Sequence, residues 1–163
     1  MSRRWVCNAS PLISLSRVGR LDLLSVLAEP VLVPATVLAE VKAGSDGDSV
    51  ADHLRRSALL RVVPDVAVPE RVARWQLDPG ETQVLSQALA VQDSGVVLDD
   101  LAARRCARVI GLRLTGTVGV VALAKRQGLL TAAAPVLDAL VEAGLYVAPS
   151  LLRGVLAELG ESA

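Results

Sequence analysis

Four acidic residues, Glu40, Glu81, Asp99 and Asp100, and one amide, Asn8, fall at strand ends or helix edges of a 163-residue chain with one histidine and two cysteines. Oxygen donors drawn from distant segments, without imidazole or thiolate, suit a hard cation such as magnesium or manganese. A cation of that kind most often serves phosphate chemistry, where it polarises a phosphoryl oxygen and activates water.

Each position also has an ordinary structural role to weigh. Asp99-Asp100 follows the run Val96-Val97-Leu98 and precedes a helix, where an acid can cap free N–H groups. Capping needs only one acid, so Asp99 reads as a metal ligand and Asp100 as the cap or a supporting charge behind the ligands. Asp78-Pro79-Gly80-Glu81 fits a capping box with Glu81 at the third helical position, and local sequence alone favours that role. Glu40 lies near the C-terminal end of its helix, where the dipole disfavours a negative charge by roughly a few tenths of a kcal/mol. Helix stability therefore gives no reason for it. Asn8 can offer a neutral carbonyl to a metal or close the turn before Ser10. His53, in Asp52-His53-Leu54-Arg55-Arg56, reads as a surface histidine on a polar helix and not as a catalyst. Asp46-Gly47-Asp48 is no calcium loop, because Ser57 stands where the closing glutamate belongs. The basic groups Arg104-Arg105-Arg108 and Lys125-Arg126 read either as solvated helix faces or as phosphate contacts.

The elements that must position these residues alternate. Trp5-Val6-Cys7, Val31-Leu32-Val33, Leu59 to Val63, Val96-Val97-Leu98 and Arg113-Leu114 read as strands. Helical patterns cover the segment capped by Ser10 with Pro11 as its first residue, then Leu21 to Ala28, Pro34 to Ala43, Pro69 to Trp75, Asp78 to Val91, Leu101 to Ile110 and Thr117 to Gln127. Two amphipathic helices follow, marked by Val136, Leu137, Leu140 and Val141, and by Leu151, Leu152, Val155, Leu156 and Leu159. Gly44 to Ser49 reads as a flexible loop. This alternation predicts an α/β fold with a mostly parallel sheet flanked by helices on both faces, and ligands in such sheets bind beyond the carboxyl ends of the strands. Nothing divides the chain, so one domain over 1–163 is expected.

Composition narrows the classes. Apolar residues make up 52% of the chain, and the mean hydropathy is +0.48. Together with the stripe from Leu151 to Leu159, this points to association, as a homodimer or with a partner. The alternative is that the stripe packs back onto the sheet. No apolar run reaches the roughly 18 residues a membrane span needs. The start runs directly into a strand without a signal-peptide core. Cys7 and Cys106, both in apolar runs, imply buried thiols and a reducing cytoplasm. The formal net charge is zero, and the aromatics are Trp5, Trp75 and Tyr146 alone. Any contact with RNA must then rest on phosphate and shape, not on stacked bases.

The order of motifs resembles the PIN-domain superfamily. It runs Asn8-Ala9-Ser10-Pro11-Leu12-Ile13, Leu38-Ala39-Glu40-Val41, Pro79-Gly80-Glu81, Leu98-Asp99-Asp100 with Ala103-Arg104, and Leu114-Thr115-Gly116-Thr117 within Gly111 to Gly128. The likeness is to prokaryotic PIN proteins of the VapC toxin type and covers nearly the whole chain. Each motif is weak alone, and their order and spacing carry the resemblance. It implies a PIN-like three-layer sandwich and a magnesium- or manganese-dependent ribonuclease neutralised by a small antitoxin. The family's acids fall on Asn8, Glu40, Glu81 and Asp99. Asn8 keeps an oxygen but lacks the charge, which lowers metal affinity. Thr115 is placed to orient water or a ligand, with Arg104, Arg105 and Lys125 toward the substrate. The rival reading is a catalytically weak or silent PIN-fold module that binds RNA or a protein partner. A general α/β small-molecule binder would instead need an apolar pocket at the sheet edge.

Overall fold

Short aliphatic and β-branched runs become strands β1 (Arg4–Cys7), β2 (Val31–Pro34), β3 (Leu60–Val63), β4 (Ser94–Val97) and β5 (Arg113–Thr115). In the computed structural model, which describes residues 3–162, they form one five-stranded sheet in the order β3-β2-β1-β4-β5. Every pairing is parallel. β2 and β4 are buried throughout, as strands covered on both faces must be.

The helices are α1 (Ala9–Arg17), α2 (Ala35–Ala43), α3 (Gly47–Arg56), α4 (Glu70–Ala73), α5 (Pro79–Ala90), α6 (Leu101–Val109), α7 (Thr117–Arg126), α8 (Ala134–Glu142) and α9 (Pro149–Glu158). A 3-10 turn at Leu21–Val26 replaces the helix expected to Ala28. From β1 the chain steps outward through β2 to β3, then returns to β4 and steps outward the other way to β5. Right-handed crossovers put the helices of the two directions on opposite faces. α5 packs on β1, β2 and β4, while α7 packs on α1 and the 3-10 turn. The core between the layers is almost wholly aliphatic. Trp5 lies across β4, where a Cβ on Gly95 would come within 2.6 Å of its ring.

Three further expectations need correction. α1 begins at Ala9 with Asn8 as its N-cap, so Ser10 and Pro11 lie inside the first turn. Pro11 fits there because first-turn N–H groups have no partner within the helix. The segment read as a loop contains the start of α3 at Gly47. Its glycine serves close approach, since a Cβ there would stand 2.8 Å from Lys42 Cα on the preceding helix. The leucine stripe of α9 largely packs back, with Leu156 buried and Leu152, Val155 and Leu159 against the core. Leu151 alone of that stripe is strongly exposed, at 52%. Among the described residues no helix is long and apolar enough to cross a membrane.

Two glycine substitutions should have opposite signs. Gly47→Ala overpacks the α2–α3 approach and should cost on the order of 1–3 kcal/mol. Gly154, inside α9, has open space where a Cβ would go, so Gly154→Ala should stabilise by about 1 kcal/mol. Urea unfolding of both variants at constant slope checks the pair.

Candidate active site

The register sets Cys7 opposite Val97, so the residues just past β1 and β4 emerge side by side. The Asn8 N–H donates to the Val97 carbonyl at 3.2 Å. The strand order reverses between these two strands, which opens a crevice at their carboxyl ends. Asn8 is buried there, and its Oδ1 has no hydrogen-bond partner. An orphaned buried acceptor costs roughly 1–3 kcal/mol.

Asp99 stands beside it. Thr117, the first residue of α7, donates its backbone N–H to Asp99 Oδ1 at 2.8 Å and its hydroxyl to Oδ2 at 2.6 Å. The Ser10 hydroxyl reaches Oδ2 at 3.4 Å. Arg104 Nη1 donates to the Leu98 carbonyl at 2.8 Å. A Cβ on Gly116 would lie 2.8 Å from both Asp99 Oδ1 and Arg104 Nη1, so the loop admits only glycine without displacing one of them. Burial and then Arg108 hold the Arg104 guanidinium below its ordinary value, with Asp99 pulling the other way. Burial first and the Asp99 charge second push the Cys7 thiol well up.

The two glutamates come from α2 and α5, which pack against each other. Glu40 Oε1 accepts from the Gly80 N–H at 2.9 Å, and a Cβ on Gly80 would overlap the Glu40 carboxylate. Gly80 is in the first turn of α5. The charge that its own helix end disfavours is thus placed at the favourable end of another helix. Glu81 is pushed up to about 7 by burial, then by the charges of Asp100 and Asp78, with the Asp78 backbone amide opposing and Glu40 adding a little more. The Asp78 side chain makes no capping bond, so the expected capping box is only half formed. Asp100 Oδ2 accepts from the Ala103 N–H at 3.0 Å and caps α6.

Asn8, Glu40, Glu81, Asp99 and Asp100 therefore share the carboxyl edge, with Arg104 beside Asp99 and Thr115 at the end of β5, opposite Val97. Arg105 is exposed on α6. Lys125 is not brought to this edge. Its ammonium binds the Thr131 carbonyl and pairs with Glu161 at 3.6 Å. Its cluster mate Arg126 pairs with Glu158 at 3.5 Å. His53 is half-buried, with an unpartnered Nε2, and lines a cleft with Arg20 and Arg56 instead of standing at the surface. In the sequence Thr117 stands as a helix start and as the last residue of the Leu114-Thr115-Gly116-Thr117 motif, with no role assigned to it. Its pair of hydrogen bonds to Asp99 depends on where α7 meets the end of β4, which local pattern does not encode.

A family model for PIN domains, designated DUF3368, matches residues 4–161. The chain belongs to the PIN-domain superfamily, whose fold is a nuclease fold generally used with a divalent metal. No curated protein matches the chain. Among the described residues, no three carboxylate, imidazole or thiol groups stand close enough together to hold an ion as placed. Hydrogen bonds to Gly80 and Thr117 hold Glu40 and Asp99 instead. By type the donors suit a hard cation, since all are oxygen and the Asn8 Oδ1 among them is without a partner.

Because folding raises the Glu81 pKa, the native metal-free protein holds that proton more tightly than the unfolded chain. Its stability contribution is then lost as pH rises from about 4.5 to about 7. Glu81→Gln should remove this loss. In EDTA, the variant should resist urea better than the parent above neutral pH, and the two should converge in acid.

Proposed function

We propose that this chain, read as one PIN-like domain over 1–163, is a magnesium- or manganese-dependent RNA endonuclease acting as the toxin of a toxin–antitoxin pair. The observation that carries this reading is the orphaned Asn8 Oδ1 at the strand-order reversal, with Glu40, Glu81 and Asp99 on the same edge. Glu40, Glu81 and Asp99 would hold the cation, with Asn8 as a neutral ligand and Asp100 behind them as the α6 cap. When bound, the cation polarises a phosphate oxygen and acidifies water. Thr117 fixes the Asp99 carboxylate from two directions. Arg104 and Arg105, on the helix after Asp99, supply positive charge toward a phosphodiester, and Thr115 offers a hydroxyl beside them. The buried thiols Cys7 and Cys106 suit a reducing cytoplasm.

Asn8 and the dispersed carboxylates also favour a second reading, a weak or silent module that binds RNA or protein. Incubation of labelled single-stranded RNA with the purified chain separates the two. The nuclease reading expects manganese-dependent cleavage, abolished by EDTA and by Asp99→Asn, and lowered about 10–100-fold by Thr117→Val. Binding without cleavage would establish the silent module. Asn8→Asp should tighten manganese binding in calorimetry, and equal or weaker binding would mean that the site needs no charge there.

α6 leaves Leu101, next to the acidic edge, and Val109, at its other end, exposed at 67% and 72%. A small antitoxin or a second copy of the chain would cover them. Light scattering of the chain, alone and co-expressed with its genomic neighbour, should show association. A monodisperse monomer in both samples would count against it.

A further inference from the structure

A second cavity, of about 470 Å³, lies where α5 ends over β1–β3, and its lining includes Arg3, Arg4, Arg61, Glu29 and Gln87. It opens at the amino edge of the sheet, away from the acidic crevice. The register puts Val6, Leu32 and Arg61 in one row. Side chains alternate along a strand, so Arg4, two residues before Val6, shares their face. α5 packs on β1 and β2, and Arg3, Arg4 and Arg61 are exposed, so their guanidiniums stand at the open rim of the cavity. None of the three guanidiniums forms an ion pair with a described residue. Gln87 is 8% exposed, and its Oε1 is buried without a partner. A charged residue on an edge strand can serve simply to discourage edge-to-edge pairing. That role asks nothing of Arg4, on the central strand, or of Gln87.

We infer that this cavity is a binding site for a nucleoside monophosphate, either free or as the phosphorylated end of an RNA strand. Three guanidiniums against one carboxylate leave an excess of positive charge that matches a phosphate monoester, which carries roughly −1.5 to −2 at neutral pH, better than a singly charged diester. The volume lies in the range of small-ligand pockets. With no aromatic lining, the base is recognised by hydrogen bonding, to which the Gln87 amide N–H₂ can contribute as a donor to an adenine edge. The assignment does not rest on the nuclease reading, because none of its residues belongs to the acidic edge.

The test is calorimetry in EDTA with adenosine monophosphate, 5′-phosphorylated triadenylate and its 5′-hydroxyl counterpart. Both phosphorylated probes should bind the full-length protein, at least about tenfold tighter than the hydroxyl form. Arg61→Gln and Gln87→Leu should each weaken them about tenfold with unchanged unfolding midpoints, whereas Asp99→Asn should not. Equal affinity for the two phosphorylated probes identifies the free nucleotide as sufficient, and a preference for the trinucleotide identifies a strand end. Equal binding of phosphorylated and hydroxyl forms, no binding at all, or Arg61→Gln and Arg4→Gln binding like the parent would overturn the assignment. Loss of RNA cleavage with these affinities intact would sink only the nuclease reading.

Discussion

The parallel register between β1 and β4 sets Cys7 against Val97, and the arrangement of the acidic edge follows from that pairing. Asn8 and Asp99 come from segments about ninety positions apart in sequence, yet each leaves the sheet one or two residues after the last paired position. A slip of one residue would turn one strand inside out relative to the other, because alternate side chains face opposite layers. The wholly buried character of β4 and the Trp5 ring seated over Gly95 both resist such a slip. The hydrophobic layers thereby fix the chemistry at their margin.

Close packing at that margin is achieved by omission. Gly80, Gly116 and Gly119 leave room for the Glu40 carboxylate, for Asp99 with Arg104, and for the Thr115 hydroxyl, respectively. Burial first, and the charges of Asp100 and Asp78 second, raise Glu81, so its ionised form works against folding when no cation is present. Functional sites commonly break the rules of stability in this way while the rest of the fold obeys them. Helix N-termini offset part of the strain, with α5 receiving Glu40 and α7 receiving Asp99 through first-turn amides.

Much of this was legible in residue type and order. Strand–helix alternation announced a parallel sheet, and the carboxyl edge could be inferred for Asn8 and Asp99 from short apolar runs alone. Glu40 was legible as a residue without a local purpose, and the structure supplies the purpose on another helix. Glu81 looked like a cap because its neighbours spell one, and only the Asp78 side chain shows the box to be incomplete. What stayed hidden depends on contacts between elements. Gly47 reads as flexible until α2 is known to lie against it, Lys125 reads as free until Thr131 and Glu161 close over it, and Thr117 belongs to a motif that gives it no role until α7 is seen to meet Asp99. The α9 stripe was seen correctly as apolar, but periodicity cannot tell an inner face from an outer one.

The position of β1 in the middle of the sheet has a further consequence for the order of events as the chain is made. Its first neighbour, β2, arrives early, but β4 is the other wall and is synthesised much later. The loop that must close between them is long, and its entropy has to be met before the pairing returns anything. Until residues near Val97 emerge, the amino-terminal strand has one bare edge and Asn8 has no partner carboxylate across the crevice. Nascent chains therefore lack the assembled acidic edge, and their exposed strand edge is an opening for chaperones or for misassembly. Completion of the sheet and assembly of the acidic edge are one step.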